Sequence, residues 1–459
     1  MSVDKKSALS VAVVGGGWAG CAAAVALADA GHGVTLYEAA RGLGGRARAL
    51  DAHGRRLDNG QHIMLGAYDA TLGLLRRVGI DAGDALLRLP LQMRYPPAQD
   101  AMDFVAPRLP APLHMLAALL RAKGLRREDK LALARFSTSA RWMGWQLYTD
   151  CSVAELLERF DQTARLTRLL WRPLCLAALN TAPEQASAQV FLAVLRDSLG
   201  AKRAASDMLL PRLLLDALFP DAARSHLEAR GGRVLTGARV ESLEYEDEYA
   251  GEIPGARWRV STNGGCVKFD AVVLATAPWQ AADLLRSLAA TEALSAQLDA
   301  FAYEPISTIY LQYDPALRLP LPFCALLDEP EHGVWGQFVF DRGQLDRGAM
   351  GSHAGLLAVV ISGASGAAAL ERDALAAAVA SQLASAFGMD ALAHPAWHQV
   401  ITEKRATFAC TPGLARPDNA SGLPGLVLAG DYTAGDYPAT LESAVRSGMR
   451  AAGLLGMAK

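Results

Sequence analysis

Val11-Ala12-Val13-Val14-Gly15-Gly16-Gly17-Trp18-Ala19-Gly20 is the stretch on which the reading of this chain turns. Four small apolar residues predict a short buried strand, and the Ala-rich run to about Ala30 predicts a helix directly after the glycines. Strand, GxGxxG and helix in that order make a dinucleotide-binding turn. Gly15 permits the tight turn, Gly17 lets the backbone approach a pyrophosphate, and Gly20 lets helix and strand pack closely. The helix start, carrying Trp18 and Ala19, offers unpaired N–H groups to the phosphates. A second strand, Val34-Thr35-Leu36-Tyr37, ends in Glu38, placed where an acid binds ribose hydroxyls and argues against a 2′-phosphate.

Working outward, Lys5 and Lys6 precede an uncharged run from Ser7 to Ala28 that has the look of a signal peptide or membrane span. The glycine spacing and Glu38 account for it better. At 459 residues the chain exceeds a single core, so two domains are expected. Its 45 bases and 47 acids are nearly balanced and the bases look scattered rather than banded, which gives no reason to expect nucleic acid as a partner. Six cysteines lie far apart with no CxxC pair, and no HExxH or EF-hand pattern occurs, so a reducing cytosol and no metal are expected.

Beyond Glu38 come Arg41 and a second glycine turn, Gly44-Gly45-Arg46. Far along the chain, Gly425-Leu426-Val427-Leu428-Ala429-Gly430-Asp431 reads as a strand ending in Gly-Asp, and Pro438 and Thr440 prepare a helix start at about Leu441. Gly231-Gly232-Arg233-Val234 and Val240 read as a strand pair, and Phe269 to Pro278, with Thr276, as a strand ending in a tight turn; both also read as plain core. The glycine turns resemble the extended FAD fingerprint of the amine oxidase and phytoene desaturase superfamily. That resemblance implies FAD as cofactor, with Gly44 to Arg46 along its flavin side and Val240 against its adenine. Gly430 would then admit the ribityl chain, Asp431 would accept from a cofactor hydroxyl, and the helix capped by Thr440 would face the flavin N1–C2=O edge. The implied fold class is α/β, a Rossmann-type FAD-binding domain with a mixed sheet beside a second α+β substrate domain, amine-oxidase-like. Residues 8–75, 205–285 and 415–459 would build the first, and 76–204 and 286–414 the second.

Three further segments narrow the resemblance: Leu57-Asp58-Asn59-Gly60-Gln61-His62, Trp171 to Thr181 with Ala188-Gln189-Val190-Phe191, and Ala429 to Pro438. Together they resemble the hydroxysqualene dehydroxylase family of squalene and hopanoid biosynthesis, over about Val11 to Gly448. The resemblance implies that a hydroxyl on a long isoprenoid is replaced by hydrogen from reduced FAD, and that Gly60 and Gln61 lie at the reactive side of the flavin. An allylic C–O bond ionises once its oxygen is protonated, so an acid and a dry cavity are needed. His62, Asp58 and Asp436 are the candidate acids, Glu304 a more distant one, and Cys175, Asn180 and Tyr437 candidate pocket residues. Asp58 also reads as a turn cap, His62 as a satisfied core histidine and Cys175 as core packing.

A hydrocarbon substrate of this size resides in the bilayer, so peripheral attachment to the inner face of the membrane is expected, through a surface helix within 109–133. No second GxGxxG unit follows, which leaves the reductant to an external electron donor. The rival readings are a carotenoid or squalene desaturase, an amine oxidase, and a non-catalytic prenyl-lipid escort protein.

Overall fold

In the computed structural model, residues 8–99, 101–200, 202–246, 257–346 and 353–457 are described; Lys5 and Lys6 lie outside them. The apolar tetrad forms the strand Ser10–Val14 at the centre of a five-stranded parallel sheet. Gly33–Glu38 and then Arg233–Thr236 lie to one side, Ala271–Leu274 and then Leu426–Leu428 to the other. Successive side chains of a strand point to opposite faces. Ala12 and Val14 therefore join one core while Val11 and Val13 join another, and all four are buried. Burial on both faces is why this segment reads as a continuous apolar run rather than an alternating one.

Helices Trp18–Asp29 and Leu441–Met457 cross on one face of this sheet. They do so closely: a Cβ on Gly448 would stand 2.1 Å from the carbonyl oxygen of Ala19. The strands of the sheet thus come from three separated parts of the chain. One expected pairing fails. Arg233–Thr236 pairs with Gly33–Glu38, whereas Val240–Tyr245 pairs with Trp258–Thr262 in a separate antiparallel sheet. The chain turns between them at Gly237, which has φ +69°, and the N–H groups of Gly237 and Ala238 bond to Ala40 and Glu38 carbonyls across the end of the neighbouring strand.

The second large sheet is antiparallel, in the order Phe323–Ala325, Phe338–Asp341, Leu356–Ser362, Tyr303–Gln312, Trp397–Phe408. Alternation again divides its side chains. Ile309, Leu311, Val339 and Val359 pack under the helix Arg372–Phe387, while Phe338, Phe340 and Val360 face the other way, into a cavity. The short strand Met208–Pro211 pairs with both Met64–Leu65 and Leu86–Leu89.

The surface helix expected within 109–133 is two helices, Leu113–Arg121 and Arg127–Trp142. The break has a local cause. Gly124 takes φ +75° and packs so closely that a Cβ would lie 1.7 Å from the carbonyl oxygen of Ala101, and Asp129 accepts from the Arg126 N–H (2.8 Å) to start the second helix. Among the described residues, no helix is long and apolar enough to cross a membrane.

Candidate active site

The two glycine turns meet. Gly15 has φ +109° and donates to the Tyr37 carbonyl (2.8 Å), and Gly44 donates to the Gly16 carbonyl (2.8 Å). Gly20 lies beneath this turn rather than in the cavity wall, and a Cβ there would stand 1.9 Å from the Gly15 carbonyl oxygen. Above the turns opens a cavity of about 1330 Å³. Gly15, Gly17, Trp18, Ala19, Glu38, Gly44, Gly45 and Arg46 reach its wall from the N-terminal side. Val240 and Thr276 reach it from the middle of the chain, and Gly430, Asp431, Thr440 and Leu441 from the C-terminal part. Arg41, which precedes the second glycine turn, does not; it sits in an exposed bend outside the wall.

The donors of this wall fit a dinucleotide. Trp18 Nε1, Thr276 Oγ1 and Tyr432 OH line the cavity, are buried and have no partner among the described residues. Polar atoms left this way cost free energy unless a ligand answers them. Glu38 holds the Gly16 and Ala40 N–H groups (2.8 and 2.7 Å), and its oxygens keep lone pairs for further donors. Thr440 Oγ1 accepts from the Ser443 N–H (3.1 Å), leaving the first turn of the C-terminal helix turned to the cavity. Arg46 and Asp431, read separately in the sequence, are partners: one guanidinium nitrogen lies 2.7 Å from each carboxylate oxygen, and another donates to the Ala406 carbonyl (2.6 Å).

Past Arg46 the wall carries Asn59, Gly60, Gln61 and His62. Gln61 is clamped, its amide donating to Tyr310 OH (2.7 Å) and accepting from Arg342 (3.0 Å). His62 Nδ1 lies 3.2 Å from the Gly60 carbonyl, an acceptor only, so Nδ1 carries the proton and Nε2 is the group left to act. Burial holds the imidazole below its ordinary pKa, with the Gly60 carbonyl opposing and Arg46 adding to the depression.

Two expected acids are elsewhere. Asp58 is outside the cavity wall, 3% exposed, and accepts from the Leu215 N–H (2.9 Å) at the start of a short helix. Burial pushes its carboxyl to about 6 against the pull of Arg342. Asp436 also lies outside the wall; it faces solvent and pairs with Arg196 at 3.2 Å. Glu304 is not in the wall either. Cys175 is core: its thiol contacts the Thr181 carbonyl at 3.4 Å, and burial pushes its pKa up.

Asn180 and Tyr437 do line the cavity. Asn180 takes φ +51°, ends the helix Arg172–Leu179, and joins Thr407 Oγ1 (2.9 Å) to the Gly363 N–H (2.7 Å). Tyr437 donates to Asp197, and Arg446 stacks over its ring. Burial pushes the Asp197 carboxyl up, but hydrogen bonds from Arg196 and Tyr437 hold it below its ordinary pKa. Asp197, Glu403 and Trp279 are wall residues that the sequence did not single out. Glu403 Oε2 stands 3.4 Å from Asn59 Nδ2, yet 344 residues separate them and nothing in the strand Trp397–Phe408 marks it.

Beyond His62 the wall turns to hydrocarbon: Met93, Phe104, Leu170, Phe323, Phe338 and Val360. It continues to Leu113, Leu116 and Leu119 on one helix and Leu133 and Ser137 on the next. Leu113 and Leu116 are both 53% exposed, so the cavity reaches the surface through apolar side chains.

A family of flavin-containing amine oxidoreductases matches residues 18–455. The chain is 32% identical to a hydroxysqualene dehydroxylase of Rhodopseudomonas palustris over 97% of its own length and 98% of that protein. It is 27% identical to the hydroxysqualene dehydroxylase of Zymomonas mobilis (96% and 98%) and 26% identical to the 15-cis-phytoene desaturase of Synechococcus elongatus (96% and 94%). The fold is shared with a cyclohexylamine oxidase of Brevibacterium oxydans, with a TM-score of 0.65 at 18% identity over 98% of this chain and 99% of that one. With the glycine cradle and the match along almost its whole length, the chain belongs to the flavin-containing amine oxidoreductase family and is an FAD-dependent oxidoreductase.

Proposed function

We propose that this enzyme carries out the reductive dehydroxylation of hydroxysqualene to squalene, drawing its substrate from a bilayer while attached to the cytoplasmic face. The observation that carries the reading is the continuity of one cavity from the dinucleotide cradle, past a single histidine, into a hydrocarbon-walled passage. The names of the relatives from Rhodopseudomonas palustris and Zymomonas mobilis support the same choice.

Reduced FAD, when bound, supplies the two electrons and the hydrogen that replaces the hydroxyl; the residues named as cradle would hold it. The chain's own part is to bind, orient and protonate. The Phe and Leu wall fixes the isoprenoid and keeps water out, so that the carbon left by the departing oxygen meets no competing nucleophile. His62, protonated at Nε2, gives its proton to the allylic hydroxyl, the C–O bond breaks and the oxygen leaves as water. Asn180 and the Tyr437–Asp197 pair shape the polar end of the passage. Electrons return from a separate donor.

The phytoene desaturase likeness favours a second reading, in which hydrogen is removed from an isoprenoid through the same architecture. Photoreduced enzyme mixed anaerobically with hydroxysqualene in detergent separates the two. Flavin reoxidation matched by squalene formed supports dehydroxylation. Reduced flavin that leaves hydroxysqualene untouched, while oxidised enzyme dehydrogenates a polyene, would install the desaturase instead.

A further inference from the structure

The basic residues are not scattered everywhere. Between Pro107 and Tyr148 stand eight Lys and Arg against Glu128 and Asp129, in a chain whose formal net charge is -2. This is the segment that forms the mouth of the cavity. Its outer surface is also the most apolar: Leu120 is 67% exposed, Leu131 65% and Trp142 88%.

Arg108, five residues before the first mouth helix, borders a recess of about 320 Å³ whose other walls are Arg88, Leu89, Pro90, Arg203 and Asp207. Arg88 and Arg203 each lie 3.0 Å from one oxygen of Asp207. Arg108 makes no ion pair among the described residues. Three guanidinium groups therefore border a recess that holds one carboxylate, and only two of them are paired with it. Behind them His114, in the first turn of the helix Leu113–Arg121, is 1% exposed with neither ring nitrogen partnered. Burial and then Arg203 hold its pKa below the ordinary value. A recess with surplus positive charge, two of its arginines already fixed in place by a shared acid, suits a phosphate oxyanion better than any neutral or cationic group.

We propose that the Arg88, Arg108 and Arg203 recess seats the headgroup phosphate of an anionic phospholipid, and that it docks the mouth of the cavity onto a bilayer. The proposal rests on the reading that substrate comes from a membrane, and adds which surface meets it and through what chemistry. Exposed leucines enter the acyl boundary, Trp142 lies at the headgroup level, and the basic residues between them meet anionic lipid. The passage then opens against hydrocarbon rather than water.

Flavin-loaded enzyme is mixed with phosphatidylcholine vesicles, with and without phosphatidylglycerol, and bound flavin is measured after flotation. Wild type is expected to bind the phosphatidylglycerol vesicles more tightly, and Arg108→Glu to lose roughly tenfold of that affinity. The variant should keep its flavin spectrum and its turnover of detergent-dispersed substrate. Leu120→Ser with Trp142→Ser should weaken binding to both vesicles alike. Equal binding by wild type and Arg108→Glu overturns the recess as a headgroup seat. A melting shift with inorganic phosphate, absent in Arg108→Glu and unaccompanied by any lipid preference, overturns the lipid and leaves a free-phosphate site. Vesicle binding that depends on Arg108 in an enzyme inert toward hydroxysqualene upholds the recess and sinks only the reaction.

Discussion

The two ends of the cavity are specified in different ways. The cradle is made by backbone: glycines at fixed spacing, a helix start, and strands in a parallel ladder. The passage is made by side chains that share only size and apolarity, brought together from residues as distant as Met93 and Val360. Backbone approach tolerates no added atom, whereas an apolar wall accepts any filling of similar volume. The first is therefore intolerant and exact in sequence; the second is tolerant and nearly anonymous.

The sharpest way to break this contrast is Gly20→Ala. With a Cβ 1.9 Å from the Gly15 carbonyl oxygen, the turn must open, and retained FAD is expected to fall about tenfold or more. Purified protein that stays yellow with FAD near one per chain would show that the turn yields easily and that the contrast is wrong. His62→Gln tests the junction between the two ends. It should keep FAD while kcat falls by about 10²–10⁴. His62 must carry a proton to act as acid, and burial places its pKa below the ordinary value. Wild-type kcat/KM should then rise toward acid pH and decline as pH climbs through that depressed pKa, with the slope lost in the variant. A wild-type profile that does not decline as pH rises, or a decline unchanged in His62→Gln, removes the histidine from the chemistry.

Ala178→Trp probes the passage alone. The residue lines the cavity on the helix Arg172–Leu179, so an indole there should obstruct a long isoprenoid and reduce kcat/KM by about tenfold or more, leaving FAD content and its spectrum intact. If flavin is lost in parallel, the two ends of the cavity are not separately built.

The same contrast explains what could be read in advance. Gly15, Gly17, Glu38, Gly430 and Thr440 stood out because each answers a local demand: a positive φ, a close approach, a strand end or a cap. The Arg46–Asp431 pair did not, since its 385-residue separation is bridged only by the parallel sheet. Glu403 and Asp197 went unseen for the same reason, being ordinary acids on ordinary elements until the fold turns them inward. The break at Gly124 was hidden because the close packing against the Ala101 carbonyl, which leaves no room for a Cβ there, comes from a neighbouring segment that the helix sequence does not show. Proximity in sequence also misled. Asp58 and Asp436 lie beside true wall residues, His62 and Tyr437, but local backbone direction sends their carboxylates to a helix start and to solvent.

Asp58 supplies the smallest effect and the finest test of that last point. Its carboxyl is raised from 3.8 to about 6 by burial, so the folded chain binds a proton that the unfolded chain releases. The stability it contributes is full below about 3.8 and is lost as pH rises through 6, by at most on the order of 3 kcal/mol. Asp58→Asn keeps an acceptor for the Leu215 N–H and cannot ionise. Relative to the variant, wild type should melt highest near pH 4 and lose that advantage by pH 7, where the buried carboxylate is charged. Turnover per bound flavin should stay within about twofold, because a group that caps a helix outside the wall acts on folding and not on the reacting bond. A melting gap independent of pH would mean that the carboxyl is not held protonated. A large loss of turnover with FAD and melting unchanged would return Asp58 to the list of acids and shift the boundary between frame and passage by one residue.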